Sequence, residues 1–236
     1  MEIKVAEHLS KLYNEYYPDN SFDETKRIIA AKDSLDAIEK FSDSLTGRII
    51  DVGAGDGFVS QEILNRNKNA KITAVEISNA GLEKIKSRGL PIECHLFDGY
   101  KLPFASESFD VAVCAHVMEH VEHERLLLRE IARVSKAAYF VVPLEGGARG
   151  RITRDTGHIN YYTPLTFINL LETGGFSVQD SSVFSCSREY EQHLFGKRKG
   201  AVRSLIRQSV LKILGNAAPQ LMVYIMAVKC DPTKKE

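Results

Sequence analysis

A doubly wound α/β sheet, mostly parallel, is the fold this 236-residue chain predicts, and three observations predict it. The apolar run Ile49-Ile50-Asp51-Val52 ends in a glycine-rich turn, Gly53-Ala54-Gly55-Asp56-Gly57. From Gly47 onward, β-branched apolar runs alternate with stretches of helical period, the repeated βα pattern of a parallel sheet with helices on both faces. After Gly174-Gly175 the alternation ends, and two strand-like runs follow without a full crossover between them. Strands so connected pair as an antiparallel hairpin.

Residues 1–46 read as a helical cap ahead of the first strand. Ile28, Ile29, Leu35, Ile38 and Phe41 keep a helical period, with Asp33 and Ser34 as its start signal, and Tyr13, Tyr16, Tyr17 and Phe22 cluster around the turn Pro18-Asp19-Asn20. Strands are expected at 48–53, 71–76, 92–97, 109–115 and 137–143, with helices at about 57–66, 79–88 and 121–135 between them. A further helix, about 164–174, opens on Thr163-Pro164, a cap followed by the residue best suited to the first helical position. The closing hairpin takes residues 176–185 and Leu221 to Lys229, with 186–218 inserted at its tip as helical material. The whole, 1–236, reads as one domain of ordinary size.

Composition narrows the function. Lys and Arg number 31, as do Asp and Glu, so no global field recruits nucleic acid or an anionic membrane. Cys94, Cys114, Cys186 and Cys230 are scattered with no C-x-x-C pair, which suggests reduced thiols in a cytoplasmic protein. Met1 to Lys11 lacks the apolar core of a secretory signal, and no apolar run is long enough for a membrane span.

Glycines at the carboxyl end of a buried strand let the backbone turn tightly and approach a ligand closely, at the place where doubly wound sheets bind nucleotide-like molecules. Phe58 stands where the dinucleotide fingerprint needs its third glycine, and no Gly-Lys-Ser/Thr follows, so neither a dinucleotide site nor a P-loop is indicated. Asp51 can orient the amide network of the turn or an ammonium group. Glu76, about 20 residues on at a strand end, is placed to accept from two ribose hydroxyls, and Asp98, at the next strand end, from an adenine amino group. Carboxylates at three successive strand ends oppose a phosphate ligand but suit a cationic one, which disfavours NAD, FAD and nucleoside triphosphates. Each acid alone is as well explained as a cap or a solvated loop residue.

With Asp51 two residues before Gly53, the turn resembles motif I of class I methyltransferases that use S-adenosylmethionine (SAM). Leu102-Pro103-Phe104, Ser108-Phe109-Asp110-Val111-Ala112-Val113 and Val117-Met118-Glu119-His120-Val121 resemble the type 11 group of small-molecule methyltransferases, which includes quinone-biosynthesis enzymes. The resemblance covers roughly residues 45–180. It implies a seven-stranded Rossmann-like sheet of order 3-2-1-4-5-7-6 and SAM held by Asp51, Gly53, Ala54, Gly55, Gly57, Glu76, Ile77, Phe97, Asp98, Gly99, Ala115 and His116. It also implies methyl transfer to an O, N or C nucleophile of a small-molecule acceptor, leaving S-adenosylhomocysteine. Two rival classes stay open: an RNA or protein methyltransferase, and a non-catalytic SAM-binding regulator. Charge balance disfavours nucleic acid, and Ala115-His116-Val117-Met118 replaces the Asn/Asp-Pro-Pro-Tyr/Phe of base and glutamine methylation.

His116, after the fourth strand, and His158, in the loop after the fifth, are the candidate catalytic bases, since an imidazole can take a proton from an acceptor hydroxyl. The plainer readings are that Glu119 and His120 cap the following helix and that His158 orders its own loop. His116, Glu119, His120 and His158 also resemble the carboxylate/histidine metal site of small-RNA 3′-end and some quinone methyltransferases. That pattern is Glu-x-x-Glu-His with a later His, and His116 stands in place of its first Glu; no metal is the expectation, with zinc held by two imidazoles and a carboxylate as its alternative. Finally, Val202, Leu205, Ile206, Val210, Ile213 and Leu214 form an apolar stripe beside Arg203, Arg207 and Lys212. The expectation is a helix packed on the core with a solvated basic face. Its rival is a lid that touches an anionic acceptor or a membrane.

Overall fold

Strands β1 (Arg48–Val52), β2 (Lys71–Glu76), β3 (Ile92–Leu96), β4 (Val111–Ala115), β5 (Ala138–Pro143), β6 (Phe176–Phe184) and β7 (Ile225–Pro232) form one sheet. Its order is β3-β2-β1-β4-β5-β7-β6, as expected. The computed structural model describes residues 11, 14, 23–41, 45–145, 158–214 and 224–233. β1 lies between β2 and β4, parallel to both, with Ile50 opposite Thr73 on one side and Ala112 on the other. β7 runs antiparallel to β5 and β6 and closes the sheet. The inner parallel strands are covered on both faces, so β5 reads Ala-Tyr-Phe-Val-Val-Pro with every residue buried.

Helices α1 (Glu24–Ile38), α2 (Phe58–Arg66), α3 (Asn79–Ser87), α4 (Glu124–Val134), α5 (Pro164–Thr173), α6 (Arg188–Phe195) and α7 (Lys197–Leu214) surround it. One face packs Leu127, Leu128 and Ile131 of α4 and Phe167 of α5 on Phe140 and Phe176. Phe140 and Phe176 meet edge to face with centroids 5.1 Å apart. The other face packs Leu35 and Ile38 of α1 and Ile63 of α2 on Ile49, Ile72 and Val141.

β2 covers the expected residues, and α5 starts on Thr163, whose side chain accepts from Thr166 N while Pro164 occupies the first turn. Three local expectations give way. α1 starts on Asp23, which accepts from Lys26 N, and runs through Asp33 and Ser34. Both of those residues face inward, where Asp33 accepts from Ser187 N and Ser34 bonds Ala30 O. Phe109 makes only an isolated bridge to Ser135, and β4 proper starts at Val111. The helix expected from 121 is preceded by a 3-10 turn, Met118–His120, and starts at Glu124.

The largest departure is α7. Gly200 and Ser204 are its buried residues, while Leu205 is 68% and Ile213 80% exposed, with Val202, Ile206 and Leu214 also outside. Small residues win the inner face because α6 lies so close that a Cβ on Gly200 would sit 2.4 Å from the backbone of Gln192. Arg203 and Arg207 pair instead with the buried carboxylate of Glu191. Tyr13, Tyr16, Tyr17, Phe22, the turn at 18–20 and residues 221–223 of the expected last strand lie outside the described residues.

Candidate active site

The carboxyl ends of β1 and β2 meet at the glycine turn. Gly53 N and Ala54 N both donate to Val75 O, and Gly57 N to Ala54 O, which folds the turn back over the end of β2. Gly53 has φ +71° and Gly57 +85°; a Cβ on the first would stand 2.5 Å from Val117, on the second 2.8 Å from Ile85. Only glycine meets both demands at once, left-handed backbone and no side chain. The result is a turn whose backbone packs directly against Val117 and Ile85.

Two acids stand under it. Asp51 is buried and accepts from Ser60 Oγ at 2.6 Å; burial pushes its pKa to about 6 against that bond. Glu76, 4% exposed, accepts from Gly55 N at 2.9 Å and Ser78 N at 3.1 Å. Burial pushes it to about 7, although its backbone bonds favour the charged form, and Asp51 nearby adds to the rise. Ile77 follows Glu76 and packs against the larger core. Phe97 N donates to Glu76 O, and Asp98 is exposed, its Oδ1 accepting from Tyr100 N and Lys101 N ahead of Gly99, which also has positive φ.

Asn14 and Arg27 reach this half of the edge. Asn14 Oδ1 accepts from Ser78 Oγ at 2.9 Å and from Ala80 N at 3.1 Å, at the start of α3. Arg27 of α1 pairs with Asp56 of the glycine turn at 3.1 Å.

The ends of β4 and β5 form the second half. Ala115 is buried; His116 takes φ +58° and its N donates to Val141 O. His116 Nε2 lies 3.2 Å from Ser34 Oγ and Nδ1 3.5 Å from Glu119 Oε1. Glu119 does not cap α4: its side chain turns inward, while its carbonyl accepts from Ile159 N and Asn160 N and so ties down the loop after β5. Asn160 Nδ2 bonds the carbonyls of Met118 and Val121 across the same gap. His158 comes to this gap, its ring edge to face with that of His120 at 4.8 Å. Its Nδ1 lies 2.5 Å from Glu145 Oε2 at the end of β5. Burial lowers the His158 pKa, but the bond to Glu145 and the charges of Glu119 and Glu145 leave it raised.

The expected residues thus gather along one sheet edge in two groups. Ser60, Asn14 and Glu145 join them without having been singled out, as does Ser34, which was read as a helix start. Glu145 had a usable signal, a carboxylate just past a strand end like Glu76 and Asp98. Asn14 and Ser34 had none, because each acts across a large separation in sequence.

Residues 50–141 match the family model described as a methyltransferase domain. The O-methyltransferase resE of Aspergillus sclerotiorum is 27% identical over 50% of this chain and 47% of its own length. The ubiquinone/menaquinone biosynthesis C-methyltransferase UbiE of Desulfotalea psychrophila is 28% identical over 42% of this chain and 41% of its own. The chain spans less than half the length of these relatives. The crystal structure of a SAM-dependent methyltransferase from Aquifex aeolicus superposes with TM-score 0.58 over 98% of both chains at 15% identity, a likeness of fold alone.

Proposed function

From a chain that carries, over residues 50–141, a methyltransferase domain of the class I, SAM-dependent family, we propose a methyl transfer from SAM to a small-molecule acceptor. The observation that carries it is the glycine turn Gly53–Gly57 at the end of β1 with the buried acids Asp51 and Glu76 beside it. A ligand without phosphate and with a positive charge fits two buried acids whose ionised forms lack a cationic partner in that turn. Glu76 holds the ribose hydroxyls, each carboxylate oxygen keeping a second lone pair beyond its backbone donor. Asp51 orients the turn through Ser60, Asp98 takes the adenine amino group on its second oxygen, and Ile77, Phe97, Gly99 and Ala115 line the walls.

SAM, when bound, supplies an activated methyl group and leaves as S-adenosylhomocysteine. The protein's own task is alignment of the acceptor and exclusion of water, which makes proximity the main source of acceleration. Where the nucleophile carries a proton, His116 or His158 takes it, each already aligned by a carboxylate, Glu119 or Glu145. The four cysteines form no disulfide, which fits a reducing cytoplasm. No helix among the described residues is long and apolar enough to cross a membrane.

The deciding experiment is transfer of labelled methyl from SAM to fractionated metabolites, RNA and protein. Label in a metabolite fraction supports the reading. Label only in RNA or protein replaces the acceptor class, and SAM binding with no transfer to any fraction replaces the enzyme with a SAM-binding regulator.

A further inference from the structure

β6 runs antiparallel to β7, as β7 does to β5, so β6 ends at the sheet edge where β4 and β5 end. α6 and α7 leave the sheet from that edge, and the chain comes back to it with Tyr224 N donating to Phe184 O. At about 3.6 residues per turn, Arg198, Val202, Leu205, Ile206, Ser209 and Ile213 of α7 share the face opposite the buried Gly200 and Ser204. Val202, Leu205, Ile206 and Ile213 are each at least half exposed, and the exposed Lys199 and Lys212 border them. A solvated helix face is ordinarily polar. Large aliphatic side chains aligned over about three turns mark a surface that meets a partner.

Charge says which kind of partner. α7 carries six basic residues and no acidic one. Glu191 pairs with Arg203 and Arg207, and the Arg203 guanidinium also lies over the Phe195 ring at 4.0 Å. Lys197, Arg198, Lys199 and Lys212 are exposed, and among the described residues no carboxylate pairs with them. A second copy docked stripe to stripe would set these cations against their own images, which opposes self-association. A nucleic acid would meet the cations but find aliphatic side chains between them, with no aromatic ring on that face to stack on. An anionic lipid surface suits both features, since aliphatic groups enter the acyl boundary while long basic side chains reach back to the phosphates. We propose that α7 docks on an anionic lipid bilayer, with Val202, Leu205, Ile206 and Ile213 toward the acyl chains and Arg198, Lys199 and Lys212 among the headgroups.

The helix lies on the membrane and does not cross it, since no helix among the described residues is long and apolar enough to span one. Lys and Arg balance Asp and Glu over the whole chain, so the attraction is local to α7 and acts within a Debye length of the surface. Docking of this kind brings lipid to the same edge of the sheet as the candidate site. It requires no methyl transfer and stands or falls apart from that reading.

The chain has no tryptophan, so Ile206→Trp gives the full-length protein a single reporter on this face. Its emission should move to the blue with phosphatidylcholine vesicles that carry roughly 30% phosphatidylserine, and stay unchanged with phosphatidylcholine alone. Co-sedimentation of the wild-type protein with the anionic vesicles should weaken roughly tenfold when Lys199→Glu and Lys212→Glu are combined, and as much when Leu205→Asp and Ile213→Asp are. High salt should weaken it too. Lys71→Glu, at the exposed start of β2 on the opposite edge of the sheet, should bind as the wild type does. Melting curves of each variant confirm that it is folded. Emission that anionic vesicles leave unmoved, or co-sedimentation that both paired substitutions leave unchanged, overturns the proposal. A dimer that Leu205→Asp with Ile213→Asp dissolves, with no binding to vesicles, gives the face to a second copy instead. Binding of single-stranded RNA, again with none to vesicles, gives it to nucleic acid.

Discussion

The two halves of the sheet edge bury carboxylates in opposite electrical states. At the ends of β1 and β2, Asp51 and Glu76 have, among the described residues, neutral hydrogen-bond donors around them, a hydroxyl and backbone N–H groups, and burial drives them to about 6 and about 7. At the ends of β4 and β5, Glu119 is as deeply buried, yet imidazoles hold it below its ordinary value. Burial is the same in both places; what differs is whether a positive group is built in. The first half surrounds its acids with neutral donors, whereas the second sets imidazoles beside its own. A doubly wound fold brings both to one edge because every parallel strand ends there.

The sharpest way to break this contrast is through the histidines. Loss of the imidazole that acts as base should cut turnover by roughly 10²–10⁴ with a hydroxyl acceptor. His116→Ala and His158→Ala, assayed with the true acceptor, therefore separate the base from its neighbour. Turnover near wild type in both removes the base role altogether. Next in size is Glu76→Ala, which should weaken SAM by about 1–3 kcal/mol through loss of charge-assisted bonds to the ribose. Calorimetry that finds the affinity unchanged would end the assignment of SAM to this half.

A smaller effect follows from Glu76 being raised. A ribose-binding carboxylate acts ionised, so SAM affinity should climb roughly tenfold between pH 6 and pH 8 as the group titrates near 7. Glu76→Gln should flatten that dependence, and a slope that survives the substitution belongs to another group. Without ligand the sign reverses. Both acids hold protons more tightly folded than unfolded, so the stability they contribute is whole below the ordinary carboxylate pKa and is lost as pH rises through about 6 to 7. Melting temperature should accordingly fall over that window in the ligand-free protein, and less so with SAM present.

The smallest effect expected is in backbone protection. Asn14 bonds Ser78 and Ala80 at the start of α3, and α7 turns an apolar stripe outward. We expect hydrogen exchange in residues 1–22 to slow with SAM, and in α7 only when the acceptor joins it, as for covers that close over a site. Slow exchange that ligands leave unchanged would make both segments fixed cover.

The glycine turn, the strand ends and the βα alternation were all readable from the chain because each is local. Alternate glycines at Gly53–Gly57, an acid at the end of β2 and a β-branched run are properties of consecutive residues. α7 was not, since periodicity reports that a helix has two faces without saying which one a neighbour covers. Compare α4, whose apolar Leu127, Leu128, Ile131 and Val134 face the core as their spacing predicts. In α7 the close approach of α6 admits only Gly200 and Ser204, and the same kind of stripe points outward.

The strand order was implied by the family resemblance; by itself the sequence determined the order of elements, a mostly parallel sheet and the edge where the acids gather. Those follow from local propensity, burial patterning and the rule that parallel strands share an end. Tertiary structure alone decided the company each acid keeps. Glu145 meets His158 thirteen residues away, Ser34 meets His116 across 82, and Asn14 meets Ser78 across 64. Contacts of that kind set local charge, and charge in a poorly solvated interior is governed by the nearest few ångströms, which no spacing along the chain records.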